Sequence, residues 1–142
     1  MKKEVSNAFV YNVCMKLIHQ TYKIHAPINK VWQALIDPGI IDQWGGGPAE
    51  MSDQEGMEFS LWGGDIYGKN LHVVPEKELH QEWFGGEWDQ PSLVTFTLSE
   101  KDDVTTVELL HENIPDDEEA EDFDTGWKEY YLGPLKELIE SN

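Results

Sequence analysis

Residues 116–140 read DDEEAEDFDTGWKEYYLGPLKELIE, and this stretch decides the fold. Asp116 is placed to cap a helix, and Glu119, three residues on, completes a capping box. Seven acids lie between Asp116 and Asp124, and those in the first turn favour the positive end of the helix dipole. Phe123, Trp127, Tyr130, Tyr131, Leu135, Leu138 and Ile139 follow at helical spacing and make one apolar stripe. Gly133-Pro134 interrupts it. Pro134 has no N–H for the carbonyl of Tyr130, which predicts a kink at that point.

The segments before this helix alternate with period two. Lys16–Ile24 sets Ile18, Gln20, Tyr22 and Ile24 on one face, a half-buried strand. Met57, Phe59 and Leu61 alternate with Glu58, Ser60 and Trp62, then Gly63-Gly64-Asp65 turns the chain into Ile66–Val74. Pro75-Glu76-Lys77 turns it again into Glu78–Phe84, where Leu79, Gln81 and Trp83 share a face. After a loop over Gly85–Pro91, Leu93–Leu98 and Val104–Glu112 form a last hairpin across Glu100–Asp103, with Thr105, Val107, Leu109 and His111 on one face. A bulge near Gly68–Asn70 would exchange the two faces locally. Between the first two strands, Pro27 is expected at the first helical position. Ile28, Val31, Trp32, Leu35 and Ile36 form the stripe of that helix, and Asp37-Pro38 stops it. A short helical turn over Ile40–Trp44 precedes Gly45-Gly46-Gly47-Pro48.

Six antiparallel strands with one apolar face need a cover, and the C-terminal helix is the element long enough to provide it. The fold class is therefore α+β: a six-stranded curved antiparallel sheet wrapped around a long C-terminal helix, with two short helices after the first strand. The 142 residues fit one domain, read as residues 16–142 behind an N-terminal extension over 1–15.

The order of elements and several residues on it resemble the START-like superfamily, also called SRPBCC or helix-grip. Within it the chain is similar to the family of the C-terminal domain of the heat-shock protein 90 ATPase activator. The resemblance covers residues 16–140. It rests first on Ala26-Pro27-Ile28, Val31-Trp32, Leu35 and Asp37-Pro38, with Trp44 and Pro48 after them. Next comes Gly63-Gly64-Asp65-Ile66-Tyr67-Gly68, running to Val74-Pro75-Glu76-Lys77 and Trp83. Last comes Leu109-Leu110-His111, with Ile114-Pro115-Asp116, Gly126-Trp127 and Tyr130-Tyr131. The resemblance implies a cavity between sheet and helix, used in the superfamily for lipids, sterols, hormones or polyketide intermediates. The activator domain instead serves a chaperone through protein contacts. A full activator carries a separate chaperone-gripping N-terminal domain, for which 142 residues are expected to leave no room.

Composition narrows the function. Ten basic residues against 28 acidic ones give a net charge of −18, which repels phosphate backbones and anionic lipids, so nucleic-acid and membrane-surface roles are set aside. The single Cys14 forms no internal bridge and suits a reducing compartment. With no run near the ~20 apolar residues of a membrane span and no signal-peptide core, the expected location is cytoplasmic.

The expected ligand-binding residues are Phe59, Leu61, Gln81, Trp83, Phe96, Leu109, His111, Trp127 and Tyr131. They bring inward-facing aromatic rings together with the polar groups of His111 and Gln81. The competing interpretation is that the rings are core and His111 is a buried histidine with an internal partner. An empty cavity costs ~24 cal/mol per Å³, so a void of ~300 Å³ would cost about 7 kcal/mol of a total stability of about 5–15. A small, partly filled pocket is therefore expected. His72 and His80, on neighbouring strands, lack ligand spacing and read as surface residues, and no metal or cofactor is expected. The glycine run 45–47 lacks the lysine of a phosphate loop and reads as a flexible mouth of the cavity. No Ser/His/Asp or Cys/His arrangement exists. The functions in order are a non-enzymatic binding module for a small apolar or amphipathic molecule, and then a chaperone-associated interaction domain using the acidic helix start with exposed Trp62 or Trp88. A cyclase- or hydrolase-like enzyme with His111 as general base comes last.

Overall fold

The computed structural model describes residues 16–85 and 88–141, and the expected extension 1–15 lies outside them. Strand β1 (Lys16–Ile24) leads into helices α1 (Ile28–Ile36) and α2 (Pro38–Trp44). A meander follows: β2 (Glu58–Leu61), a 3₁₀ turn (Trp62–Gly64), β3 (Ile66–Val74), β4 (Glu78–Gly85), β5 (Ser92–Lys101) and β6 (Val104–Ile114). The C-terminal arm is α3 (Asp117–Gly126), a π turn (Trp127–Tyr131) and α4 (Leu132–Glu140). All strand pairs are antiparallel in the order β1-β6-β5-β4-β3-β2, so the first strand returns to pair with the last.

The alternating positions behave as their pattern requires. Ile18, Gln20 and Ile24, then Leu79, Gln81 and Trp83, then Thr105, Val107, Leu109 and His111 are all buried. The bulge sits one step beyond its expected place. Pairing passes from Asn70↔Gln81 to His72↔His80, which leaves Leu71 unmatched and outside. Gly68 is required before it, because a Cβ there would stand 1.8 Å from the carbonyl oxygen of Glu82 on the paired strand.

The two short helices close one end of the sheet. Pro27 is the cap residue of α1 and not its first helical residue, and it offers no side-chain acceptor. The carboxylate of Glu100, from the far hairpin, accepts the Ile28 N–H at 2.9 Å instead. Asp37 ends α1 and also starts α2, its side chain accepting from the N–H groups of Gly39 and Ile40, with Pro38 in the first turn. The second helix therefore begins earlier than Ile40.

The C-terminal arm differs most from its sequence reading. The irregularity lies over Trp127–Tyr131 and not at Pro134, and the Leu132 N–H reaches back five residues to the carbonyl of Trp127. One extra residue in the turn changes which side chains face the sheet. Leu132 joins Trp127, Tyr131, Leu135 and Ile139 in the core, while Tyr130, expected in the buried stripe, is 63% exposed. Arm α3 lies across β1 and β6, and α4 packs on β1, α1 and α2. Gln20 on β1 ties the first part down, donating to the backbone carbonyl and the carboxylate of Asp124 at 2.9 and 2.8 Å.

Gly133 follows from the same turn. A Cβ on it would stand 1.9 Å from the carbonyl oxygen of Lys128, five residues earlier. In an ordinary helix Gly→Ala gains about 1 kcal/mol. Here Gly133→Ala is expected to lose about 1–3 kcal/mol of unfolding free energy in a denaturant titration. A gain would show that the π turn can relax to α-helix without cost.

Candidate ligand cleft beside the C-terminal arm

Two chains of polar side chains run through the aromatic interior. The first joins the helical arm to three neighbouring strands. The Trp127 indole can only donate, and its Nε1–H meets Nδ1 of His111 at 3.1 Å. Nδ1 is therefore an acceptor and the proton of the neutral ring sits on Nε2, which donates to Oγ of Ser92 at 2.8 Å. Ser92 in turn donates to the carbonyl of Trp83 at 3.3 Å. Burial pushes the His111 pKa down to about 3, consistent with a neutral ring whose two nitrogens are both engaged inside the protein. No lone pair is left on it to take a proton from a substrate.

The second chain starts on the other side of Trp83. Its indole N–H donates to Gln81 Oε1, and the Gln81 amide donates to Asn70 Oδ1, both at 2.9 Å. Asn70 donates onward to the carbonyls of Ser52 and Gln54 at 2.9 and 3.2 Å. This fixes the segment before β2 against the sheet. Buried amides and indoles are thus paired, as the cost of an unpaired one demands.

Tyr131 breaks that pattern. It is 1% exposed, and its hydroxyl is, among the described residues, the buried side-chain polar atom without a hydrogen-bond partner. Its ring is wrapped by Trp44 at 4.5 Å, Trp127 at 4.7 Å, Phe96 at 5.7 Å, Trp83 at 6.0 Å and Trp62 at 6.2 Å between centroids. Burial raises the Tyr131 pKa far above the ordinary tyrosine value, so the hydroxyl stays protonated and able to donate.

Tyr131 also lines a cleft of about 250 Å³, together with Trp62, Trp83, Asp122, Phe123, Gly126, Trp127 and Tyr130. Of the nine expected binding residues, Trp83, Trp127 and Tyr131 line it. Phe59, Leu61, Gln81, Phe96, Leu109 and His111 lie in the buried layer behind, where Phe96 and His111 contact the rings of its wall. Sequence reasoning missed Trp62, Asp122, Phe123, Gly126 and Tyr130 as lining residues: Trp62 reads as exposed, Phe123 and Tyr130 read as one buried stripe, and helical periodicity does not reveal the π turn.

Trp62 reaches the cleft because the glycine run holds it. Its indole donates to the carbonyl of Gly45 at 2.9 Å and its backbone N–H to that of Gly46 at 2.8 Å. Gly45 adopts φ 105° to end α2, and a Cβ on Gly46 or Gly47 would collide with Trp44 or Asp42. The run is therefore a tightly packed support for one wall of the cleft, and not itself its mouth. Trp88, expected outside, packs against Phe123 at 5.4 Å and donates to the Glu119 carboxylate at 2.8 Å. Asp116 accepts the Glu119 N–H at 2.8 Å as a helix cap should, while the Glu119 side chain serves Trp88.

The histidine pair on β3 and β4 is brought together, with ring centroids 5.5 Å apart. Each ring takes its own carboxylate: Glu55 with His72 at 3.1 Å and Glu78 with His80 at 2.8 Å. No group of three or more metal-ligating side chains is assembled among the described residues.

The fold and this aromatic interior can be set beside known proteins. The family model described as "Activator of Hsp90 ATPase homolog 1-like protein" matches residues 25–140. The chain belongs to that family. Among its curated relatives, an uncharacterized protein of Schizosaccharomyces pombe is 28% identical over 124 residues, 86% of this chain and 37% of its own length. The activator of 90 kDa heat shock protein ATPase homolog of Dictyostelium discoideum is 37% identical over 87 residues, 59% of this chain and 22% of its own length. The chain thus spans between 22% and 37% of the length of these curated relatives. An Hsp90 activator of Plasmodium falciparum has the same fold, with a TM-score of 0.79, 23% identity and coverage of 87% of this chain and 95% of that one. CalU16 of Micromonospora echinospora superposes with a TM-score of 0.71 at 32% identity, covering 88% of this chain and 73% of that one. Among the described residues no helix of this Hsp90-activator-like chain is long and apolar enough to cross a membrane.

The state of His111 can be tested by pH. Its folded pKa of about 3 lies below the 6.5 of an unperturbed histidine. The unfolded chain therefore binds the proton first, so the contribution of neutral His111 is complete above pH 6.5 and is lost as pH falls toward 3. Between about pH 7 and pH 4.5, unfolding free energy should drop by roughly 2–3 kcal/mol more in the wild type than in His111→Gln. Parallel pH profiles would mean that His111 accepts a proton within the fold.

Proposed function

We propose that the chain is a non-enzymatic binding module. It holds a small apolar or amphipathic molecule in the cleft between the sheet and the C-terminal arm. The single observation that carries this reading is the aromatic cleft lined by Trp83, Trp127 and Tyr131, the last of which has a buried hydroxyl without a partner among the described residues. A buried hydroxyl without a partner costs about 1–3 kcal/mol, and a ligand acceptor placed there would recover it. The volume, about 250 Å³, is near the lower end of small-molecule sites, roughly 300–1,000 Å³, and suits a ligand of one or two rings. Trp83, Trp127 and Tyr131 would make the contacts. Phe59, Leu61, Gln81, Phe96, Leu109 and His111 would hold those three in place. No metal or cofactor enters this reading. The cytoplasm is its proposed setting, and the charge of −18 argues against nucleic acid or an anionic membrane as partner.

A second reading is favoured by the names of the relatives. As the Dictyostelium relative is named an activator of 90 kDa heat shock protein ATPase homolog, this chain would contact a chaperone through its acidic helix start. Such binding would weaken steeply with salt, because the charges are exposed. Pull-down of purified Hsp90 at about 50 and 500 mM salt checks it, and an interaction indifferent to salt counts against that surface.

The ligand reading is checked by native mass spectrometry on protein isolated gently from its own host, where denaturation should release a small molecule. Tyr131→Phe supplies the complementary result. The ligand-free variant should be about 1–2 kcal/mol more stable than the wild type, since the unpaired hydroxyl is gone, yet hold the released molecule more weakly. A variant that is stabilised and binds equally well would remove Tyr131 from the site.

A further inference from the structure

The walls of the cleft carry charge information that its apolar character hides. Six of the eight described residues that line it are aromatic: Trp62, Trp83, Phe123, Trp127, Tyr130 and Tyr131. Among the described residues the one carboxylate in the lining is that of Asp122, on the exposed side of α3, and no lysine, arginine or histidine lines the cleft. Nearby cations are engaged elsewhere: Lys128 pairs with Asp124 at 3.8 Å and Lys16 with Asp117 at 3.0 Å. Asp122 belongs to the run of seven acids from Asp116 to Asp124, on a chain of net charge −18.

An anionic head group would therefore meet a carboxylate and a strongly negative surface with no basic residue in the lining to receive it. A cationic one meets the opposite situation. The face of an aromatic ring is the negative end of its quadrupole and attracts an ammonium within about 6 Å, most strongly on Trp and Tyr. Trp62 and Tyr130 offer such rings on the accessible side, Tyr130 being 63% exposed.

We propose that the molecule held in the cleft is cationic: an ammonium group on an apolar body of one or two rings. The apolar body lies against Trp83, Trp127 and Tyr131, and the ammonium lies among Trp62, Tyr130 and Asp122. This inference rests on the reading of the cleft as a ligand site, and it excludes fatty acids and other carboxylates as its natural occupants.

The test uses three probes that share one apolar body: naphthylmethyl-trimethylammonium, naphthylmethanol and naphthylacetate. Binding is followed on the full chain by tryptophan fluorescence, since Trp62, Trp83 and Trp127 line the cleft. The cation is expected to bind about tenfold more tightly than the alcohol, with the carboxylate weakest. Asp122→Asn and Tyr130→Leu, both at exposed positions, should each weaken the cation about three- to tenfold and change the alcohol by less than about twofold. If alcohol and cation bind equally, or the carboxylate binds best, the charge inference falls while the cleft remains a ligand site. A cation whose affinity ignores both substitutions is bound elsewhere on the acidic surface, which also overturns the inference. If none of the three binds at millimolar concentration, the cleft reading fails and the inference falls with it.

Discussion

The hydrogen bond from the Trp127 indole to Nδ1 of His111 is the constraint on which the interior depends. It is made by a donor that cannot accept and an imidazole that must then stay neutral. Because Nδ1 is taken, Nε2 carries the proton and Ser92 receives it. Because Ser92 receives, it can give its own proton to the Trp83 carbonyl. One donor on the helical arm thereby sets the direction of each side-chain bond in this chain across β6, β5 and β4. Reverse any one of them and a buried group is left without a partner, at a cost of about 1–3 kcal/mol.

The second chain, from Trp83 through Gln81 and Asn70 to the segment before β2, extends the same order toward the sheet edge. Trp83 is thus held at its carbonyl by one chain and at its indole by the other. The aromatic rings around it, Trp127, Tyr131 and Phe59, pack at centroid distances between 4.8 and 6.2 Å, where each pair adds about 0.5–1.5 kcal/mol beyond its buried area. Against this background of completed bonds, the Tyr131 hydroxyl stands out as the buried side-chain polar atom without a partner among the described residues.

The sheet was largely legible from sequence because its signal is local: a period of two with Gly, Pro and Asp at the turns. Leu79, Gln81 and Trp83, and Thr105 through His111, face inward as their alternation requires. The C-terminal arm was legible as a helix but not in phase. Gly133-Pro134 was read as a break at the proline, whereas the chain absorbs it one turn earlier by adding a residue. No periodicity announces a five-residue step before it occurs, so Leu132 and Tyr130 exchanged their expected places. The binding residues suffered for the same reason. Inward direction, which alternation reveals, does not separate a ring that fills the core from one that borders a cleft. That distinction depends on the approach of Trp62, fixed by the carbonyls of Gly45 and Gly46, far away in sequence.

The π turn has one more consequence. It divides the C-terminal arm into two halves offset from one another by one residue of helical phase. In α4 the side chains that matter, Leu135 and Ile139, are answerable to the fold. In α3 and the turn itself, Asp122, Phe123, Gly126 and Tyr130 border the cleft. The exposed positions of the cleft wall, Asp122 and Tyr130, are thereby free to vary while the buried Trp127, Tyr131, Leu135 and Ile139 keep the architecture.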